Sequence, residues 1–73
     1  MRPTLAKNGQ RLVYDRGGGR RVCYFVKRVP SQNGRPAENY VRFPDFAGLN
    51  GNDDDGTCRV SDYEFSKFYR SEE

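Results

Sequence analysis

Histidine and tryptophan are absent from the 73-residue sequence, and cysteine occurs only at positions 23 and 58. Without histidine, the chain lacks the side chain that most often serves as a general base and as a neutral metal ligand. Nucleophiles activated by a histidine, as in many hydrolases, are impossible within this chain. We therefore predict a protein that is not an enzyme, with no catalytic residues, no metal site and no cofactor.

Long apolar runs are also absent. No stretch approaches the roughly 18 apolar residues that cross a membrane, and residues 1–10 lack the apolar segment of a signal peptide. With only two cysteines far apart, a reducing compartment is expected, with Cys23 and Cys58 as small buried apolar groups. The alternative is a disulfide between them, which requires Cα atoms closer than about 7 Å. We expect a cytoplasmic protein without membrane contact.

Charge is unevenly divided along the chain. Residues 1–36 contain nine basic residues and one acidic residue, whereas residues 37–73 contain four basic and nine acidic residues, for a net charge of +3. One interpretation is a dipolar molecule with one face for anionic partners. The other is that the two halves pair in the fold and their charges cancel. The sequence leaves both open.

The length and the strand patterns predict one small domain with a limited core. We expect residues 1–9 to be a flexible N-terminus, residues 10–70 a single compact domain and residues 71–73 a frayed tail. The fold class is α+β and mostly β: a small antiparallel sheet, or an SH3-like open barrel, closed by a short C-terminal helix. A monomer is expected. The predicted strands are 10–16, 20–29, 38–46 and 57–60, and the predicted helix is 62–70.

Local signals set these elements. Gly17-Gly18-Gly19 lies between two strand-like runs and predicts a hairpin turn, because glycine adopts positive φ without steric penalty. In the strand 20–29, strict alternation places Tyr24 on one face and Phe25 and Lys27 on the other, and both faces are apolar enough for a central strand. Ser61 followed by Glu64 is a capping-box pattern and predicts the start of the helix.

Two motifs have ordinary structural alternatives. Asp53, Asp55 and Asp62 match the third, fifth and twelfth positions of a calcium-binding loop, but the first position is glycine, so a solvated loop is favoured. The run Arg21-Val22-Cys23-Tyr24-Phe25-Val26 is similar to the aromatic strand of RNA-recognition domains at Arg21, Phe25 and Val26. A core strand with a basic flank is the favoured interpretation.

A basic cluster is the candidate partner-binding site. The glycine hairpin should hold its flanking arginines together, and the strand that follows adds an aromatic residue and further positive charge. Such a cluster suits phosphates or an acidic protein patch, although a solvated charged rim is the simpler alternative. The candidate residues are Arg16, Arg20, Arg21, Tyr24, Lys27 and Arg28.

From Met1-Arg2-Pro3-Thr4 to Ser71-Glu72-Glu73, the chain combines small size, many arginines and strands followed by one helix. In these features it resembles the small regulators that phages make to take control of the RNA polymerase of their bacterial host. The resemblance implies binding to a polymerase subunit, the N-terminal part of β′, in the host cytoplasm. It also implies inhibition of transcription initiation and altered termination, without a cofactor. A small β module that binds nucleic acid is the alternative function.

Overall fold

Five strands form a single antiparallel sheet in this computed structural model, which describes residues 1–48, 51 and 55–72. The spatial order of the strands is β4-β3-β2-β1-β5. A helix of seven residues, α1, connects β4 to β5. This architecture confirms the predicted α+β, mostly β class, with an open sheet. The elements are β1 (Arg11–Arg16), β2 (Gly19–Val29), β3 (Glu38–Arg42), β4 (Thr57–Ser61), α1 (Asp62–Phe68) and β5 (Tyr69–Ser71).

The hairpin between β1 and β2 confirms the predicted glycine turn. Arg16 pairs with Gly19, which leaves Gly17 and Gly18 as the two turn residues, with φ values of 64° and 86°. A two-residue turn with both φ values positive matches the right-handed twist of the flanking strands. β2 pairs with β1 on one side and β3 on the other, so it is the central strand, as predicted.

The end of the chain differs from the prediction, because the helix stops at Phe68 and Tyr69–Ser71 forms a fifth strand. Tyr69 is extended, with φ −110° and ψ 142°, and pairs with Tyr14 of β1. Ser71, assigned to a frayed tail from the sequence, pairs with Leu12. Pairing with β1 satisfies backbone groups that one more helical turn would have satisfied within the helix.

The third strand is also shorter than predicted. It ends at Arg42, and Pro44–Phe46 forms a 3₁₀ turn instead of the last part of a strand. Proline has no N–H to donate to a neighbouring strand, and its fixed φ suits the start of a helical turn. Phe43 is nevertheless buried, like Val41 two residues before it.

The core lies between one face of the sheet and α1. Leu12, Cys23 and Val41 on the sheet and Phe65 on the helix are all 0% exposed. The Phe65 ring stacks on the Tyr69 ring, with centroids 5.2 Å apart. The helix therefore covers one face of the sheet only, and the other face has no layer above it among the described residues.

A polar network fixes the start of α1 to the sheet. Arg28 donates two hydrogen bonds to the Asp62 carboxylate, at 2.6 and 3.0 Å, and one to Asn39 Oδ1 at 3.1 Å. Asn39, which is fully buried, donates to Asp62 Oδ1 at 2.7 Å. The hydrogen bonds from Arg28 and then Asn39 lower the pKa of Asp62. Ser61 accepts from the Glu64 N–H at 3.2 Å, which confirms the predicted cap.

The N-terminal segment and the cysteines also depart from expectation. The Met1 ammonium donates to the carbonyl oxygens of Ser66 and Tyr69, at 3.3 and 2.9 Å, so the segment predicted to be flexible makes defined contacts. The cysteines are not joined in a disulfide. Cys23 is buried as predicted, but Cys58 is exposed because it lies on the edge strand β4. No helix in the described part of the chain is long and apolar enough to span a membrane.

Candidate functional site

An irregularity in β2 decides which side chains face solvent. Phe25 pairs with Val41 and Lys27 pairs with Tyr40, so Val26 is an extra residue without a partner on β3. A bulge of this kind shifts every following side chain to the other face. Lys27 therefore joins Tyr24 on the face away from α1, and Arg28 turns toward the helix. The alternation predicted for Lys27 from the sequence was wrong for this reason.

The six predicted site residues fall on two faces. Arg20, Tyr24 and Lys27 lie on the face away from α1, whereas Arg16, Arg21 and Arg28 lie on the helix side. Arg28 is held by Asp62 and Asn39 at the start of α1, with 23% of its side chain exposed, which makes it a structural residue of the helix junction. The other five belong to two surfaces, described in turn below.

The first surface, the hairpin end, surrounds the Gly17–Gly18 turn. On the helix side, the guanidinium of Arg16 lies over the Phe68 ring at 4.8 Å, and that of Arg21 over the Phe46 ring at 4.7 Å. On the opposite side, Arg20 and Arg70 both approach the Asp15 carboxylate, at 3.5 and 3.4 Å. We define the hairpin end as Asp15, Arg16, Arg20, Arg21, Phe46, Phe68 and Arg70.

The hairpin end combines positive charge with fixed geometry. It contains four arginines and one carboxylate, that of Asp15, which lies near Arg20 and Arg70 only. Arg16 and Arg21 are exposed, while Phe46 and Phe68 beneath them are partly buried against the core. An arginine resting on an aromatic ring keeps its donors directed outward and loses less conformational entropy when it binds. The hairpin brings Arg16, Arg20 and Arg21 to one end of the sheet, but Arg20 lies on the opposite face from Arg16 and Arg21. The sequence did not predict the contacts of Arg16 with Phe68 and of Arg21 with Phe46.

The second surface, the open face, is the side of the sheet away from α1. Two rows of side chains cross its strands. In the first row, Tyr24 of β2 lies opposite Arg11 of β1 and Arg42 of β3. In the second, Tyr40 of β3 lies opposite Lys27 of β2 and Arg59 of β4. Each row thus has one tyrosine with a basic residue on either side.

The basic groups lie close to the rings. The Arg42 guanidinium is 5.6 Å from the Tyr24 ring centroid, and Lys27 Nζ is 5.1 Å from that of Tyr40. Both tyrosines are half-buried. A groove of about 470 Å³ runs beside Tyr24 and is also bordered by Gly9, Arg42 and Asp55. The open face therefore offers aromatic surface, positive charge and a concave edge together.

Acidic residues lie at the borders of the open face. Glu72 pairs with Arg11, and Glu38 pairs with Arg59 at 3.0 Å. Neither Lys27 nor Arg42 forms an ion pair with an acidic residue in the described ranges. Asp55 nevertheless lies near Arg42, so positive charge is least compensated at Lys27, beside Tyr40.

The calcium alternative finds no support in the described residues. Asp62 is paired with Arg28, and Asp53 lies outside the described residues. No group of three or more metal-ligating side chains occurs within the described ranges. The similarity to RNA-recognition domains also fails in detail, because Cys23 and Phe25 face the core at 0% and 3% exposure, where that motif needs exposed side chains.

Comparison with known proteins gave no match to any family model, curated protein or solved structure. We therefore infer function from the geometry of the two surfaces and from the resemblance to small phage regulators of RNA polymerase.

Proposed function

We propose that this protein is a non-enzymatic regulator that binds bacterial RNA polymerase through its hairpin end. The proposed target is the N-terminal region of β′, and the proposed effects are inhibition of initiation and altered termination in the bacterial cytoplasm. The observation that carries the proposal is the pair of arginines, Arg16 and Arg21, placed over Phe68 and Phe46 at the basic end of the sheet.

This arrangement has the composition of a protein–protein contact. Arginine and aromatic residues are enriched where binding energy concentrates, and lysine and acidic residues are depleted there. The hairpin end has four arginines and a single carboxylate. A surface of this charge favours an acidic patch on the partner and accelerates association with it. The two-glycine turn leaves no bulky side chain at the tip, so a partner surface can approach the arginines closely.

The test is binding of the purified protein to polymerase. We expect micromolar or tighter affinity for core enzyme or holoenzyme, retained after nuclease treatment. The double variant Arg20→Glu/Arg21→Glu should weaken binding at least tenfold, because it reverses charge on both sides of the hairpin. Both residues are exposed strand residues near the turn, so the fold should persist, which circular dichroism would verify.

A matched control is Lys7→Glu/Arg35→Glu. This variant changes the net charge by the same amount at two exposed positions away from the hairpin end. Its affinity should stay within about twofold of the wild type at physiological salt, because exposed charges more than about 8 Å away are largely screened. Equal loss in both variants would point to nonspecific attraction, and no binding of the wild type would refute the proposal.

A further inference from the structure

We propose that the open face binds single-stranded nucleic acid, with one base stacked on Tyr24 and a second on Tyr40. This activity goes beyond polymerase binding and uses a different surface from the hairpin end. The open face carries two rows of side chains, Arg11–Tyr24–Arg42 and Lys27–Tyr40–Arg59, which run across adjacent strands.

The tyrosines are placed to receive two neighbouring bases. They lie on β2 and β3 in adjacent rows, so they are diagonal neighbours on one face. Diagonal positions on paired strands are about 7–8 Å apart, roughly twice the 3.4 Å rise of a stacked strand. A single strand that spans both rings must be unstacked between them, as in proteins that splay bases onto separate aromatic side chains. A duplex cannot offer its base faces in this way.

The basic residues are placed to meet the phosphates. Lys27 and Arg42 each lie within 6 Å of a tyrosine ring centroid, at 5.1 and 5.6 Å. A base on either ring would bring its phosphate near that cation. Arg59, opposite Tyr40, extends the charge toward the sheet edge. In and beside the two rows, the open face has four basic residues, Arg11, Lys27, Arg42 and Arg59, against three acidic ones, Glu38 and Glu72 at the borders and Asp55 beside Arg42.

The cations beside the rings favour a polyanion over a second protein surface of mixed charge. Glu38 and Glu72 are paired with Arg59 and Arg11 at the borders, so the least compensated charge, that of Lys27, lies beside the Tyr40 ring. Stacking on aromatic rings tolerates any base, and the cations contact only the backbone. We therefore expect little sequence preference.

The experiment is fluorescence anisotropy with labelled eight-nucleotide oligomers, oligo(U) and oligo(dT), against the purified protein at low salt. Both should bind, and comparison of oligo(U) with oligo(dU), which has the same base, would show whether the 2′-hydroxyl contributes. For two or three phosphates contacted, the log–log slope of affinity against salt should be about −1.4 to −2.1. A blunt duplex of equal length should bind more weakly.

Variants separate stacking from charge. Tyr24→Leu and Tyr40→Leu should each reduce affinity about five- to 150-fold, the range typical of losing one stacked base. Tyr24→Phe and Tyr40→Phe keep the ring and should retain wild-type affinity. Thermal melts must show that the leucine variants are folded, and where they are not, Arg42→Gln and Lys27→Gln provide the test through a reduced salt slope.

Two outcomes would overturn the proposal: no binding of either oligomer at low salt, or equal affinity of the phenylalanine and leucine variants. If the leucine variants instead lose polymerase affinity, the open face is a protein interface, which also refutes it. In the Arg20→Glu/Arg21→Glu background, Tyr24→Leu and Tyr40→Leu should still weaken oligomer binding. The two proposals can therefore fail independently.

Discussion

Lys27 Nζ lies 5.1 Å from the centre of the Tyr40 ring, on the opposite face of the sheet from the one that strict alternation along β2 predicts. The cause is the single extra residue, Val26, between Phe25 and Lys27. This one insertion gives Tyr40 its basic neighbour and directs the next residue, Arg28, to Asp62. Both the open face and the helix junction therefore depend on the bulge.

Deleting Val26 should be strongly destabilising. Without the extra residue, Lys27 would turn toward the core and Arg28 away from Asp62. Burial of an unpaired lysine is costly, and the partly exposed Arg28–Asp62 pair, with side chains 23% and 45% exposed, would be lost as well. Val26→Ala keeps the bulge and should cost much less. Urea unfolding of both variants measures the difference, and equal stabilities would show that the bulge does not set the register.

Elements that depend on neighbouring residues could be predicted from the sequence, whereas features that depend on strand pairing could not. The hairpin and the helix start depend on neighbouring residues, such as Gly17, Gly18 and Ser61, and were predicted correctly. The bulge depends on how β2 pairs with β3, and no local pattern reports it. Tyr69 fits both a helical stripe with Phe65 and an inward position on a strand, so only pairing with β1 decides between them. Tyr40 was not among the predicted site residues, because its cationic neighbours come from β2 and β4.

Phe65→Ala should remove most of the stability of the domain. Phe65 is 0% exposed and contacts the rings of Phe25 and Tyr69. Replacing a buried phenylalanine by alanine costs about 3–5 kcal/mol, similar to what a core of this size supplies. The matched control on the same helix is Tyr63→Ala, since Tyr63 is 69% exposed. Circular dichroism in urea should show loss of fold for the first variant and a shift of only a few tenths of a kcal/mol for the second.

Stability should fall in acid through Asp62. Its pKa in the folded protein is lowered, first by the hydrogen bond from Arg28 and then by that from Asn39. A carboxyl with a lowered folded pKa stabilises the fold above its unfolded pKa of about 3.9, and this contribution is lost as pH falls through the folded value. Asp62→Asn should therefore lower Tm at pH 7 and have little effect near pH 2.

A double-mutant cycle tests whether Arg28 is the residue that stabilises the Asp62 carboxylate. In an Arg28→Met background, the effect of Asp62→Asn on Tm at pH 7 should be much smaller, because the charge that stabilises the carboxylate is already removed. An undiminished effect would mean that Asn39 or the helix start, rather than Arg28, is responsible.

The two thiols should differ in reactivity. Burial, with a smaller contribution from Cys58, raises the pKa of Cys23 to about 12, and its side chain is 0% exposed. Cys58 is exposed on β4. Because the thiolate is the reactive form, a disulfide reagent at pH 8 should label one thiol per native chain rapidly and the second only after unfolding. Cys58→Ser should abolish the rapid phase, and rapid labelling that survives this change would contradict the burial of Cys23.

The order of the strands has a consequence for behaviour in concentrated solution. Both outer strands, β4 and β5, are short, with five and three residues, and the longest strand is enclosed at the centre. Unpaired strand edges are templates on which other chains can add, and short edges carrying charged side chains resist this. Arg59 and Arg70 occupy these two edges. The fold thus leaves few unpaired backbone groups at its edges to which another chain could add as a strand.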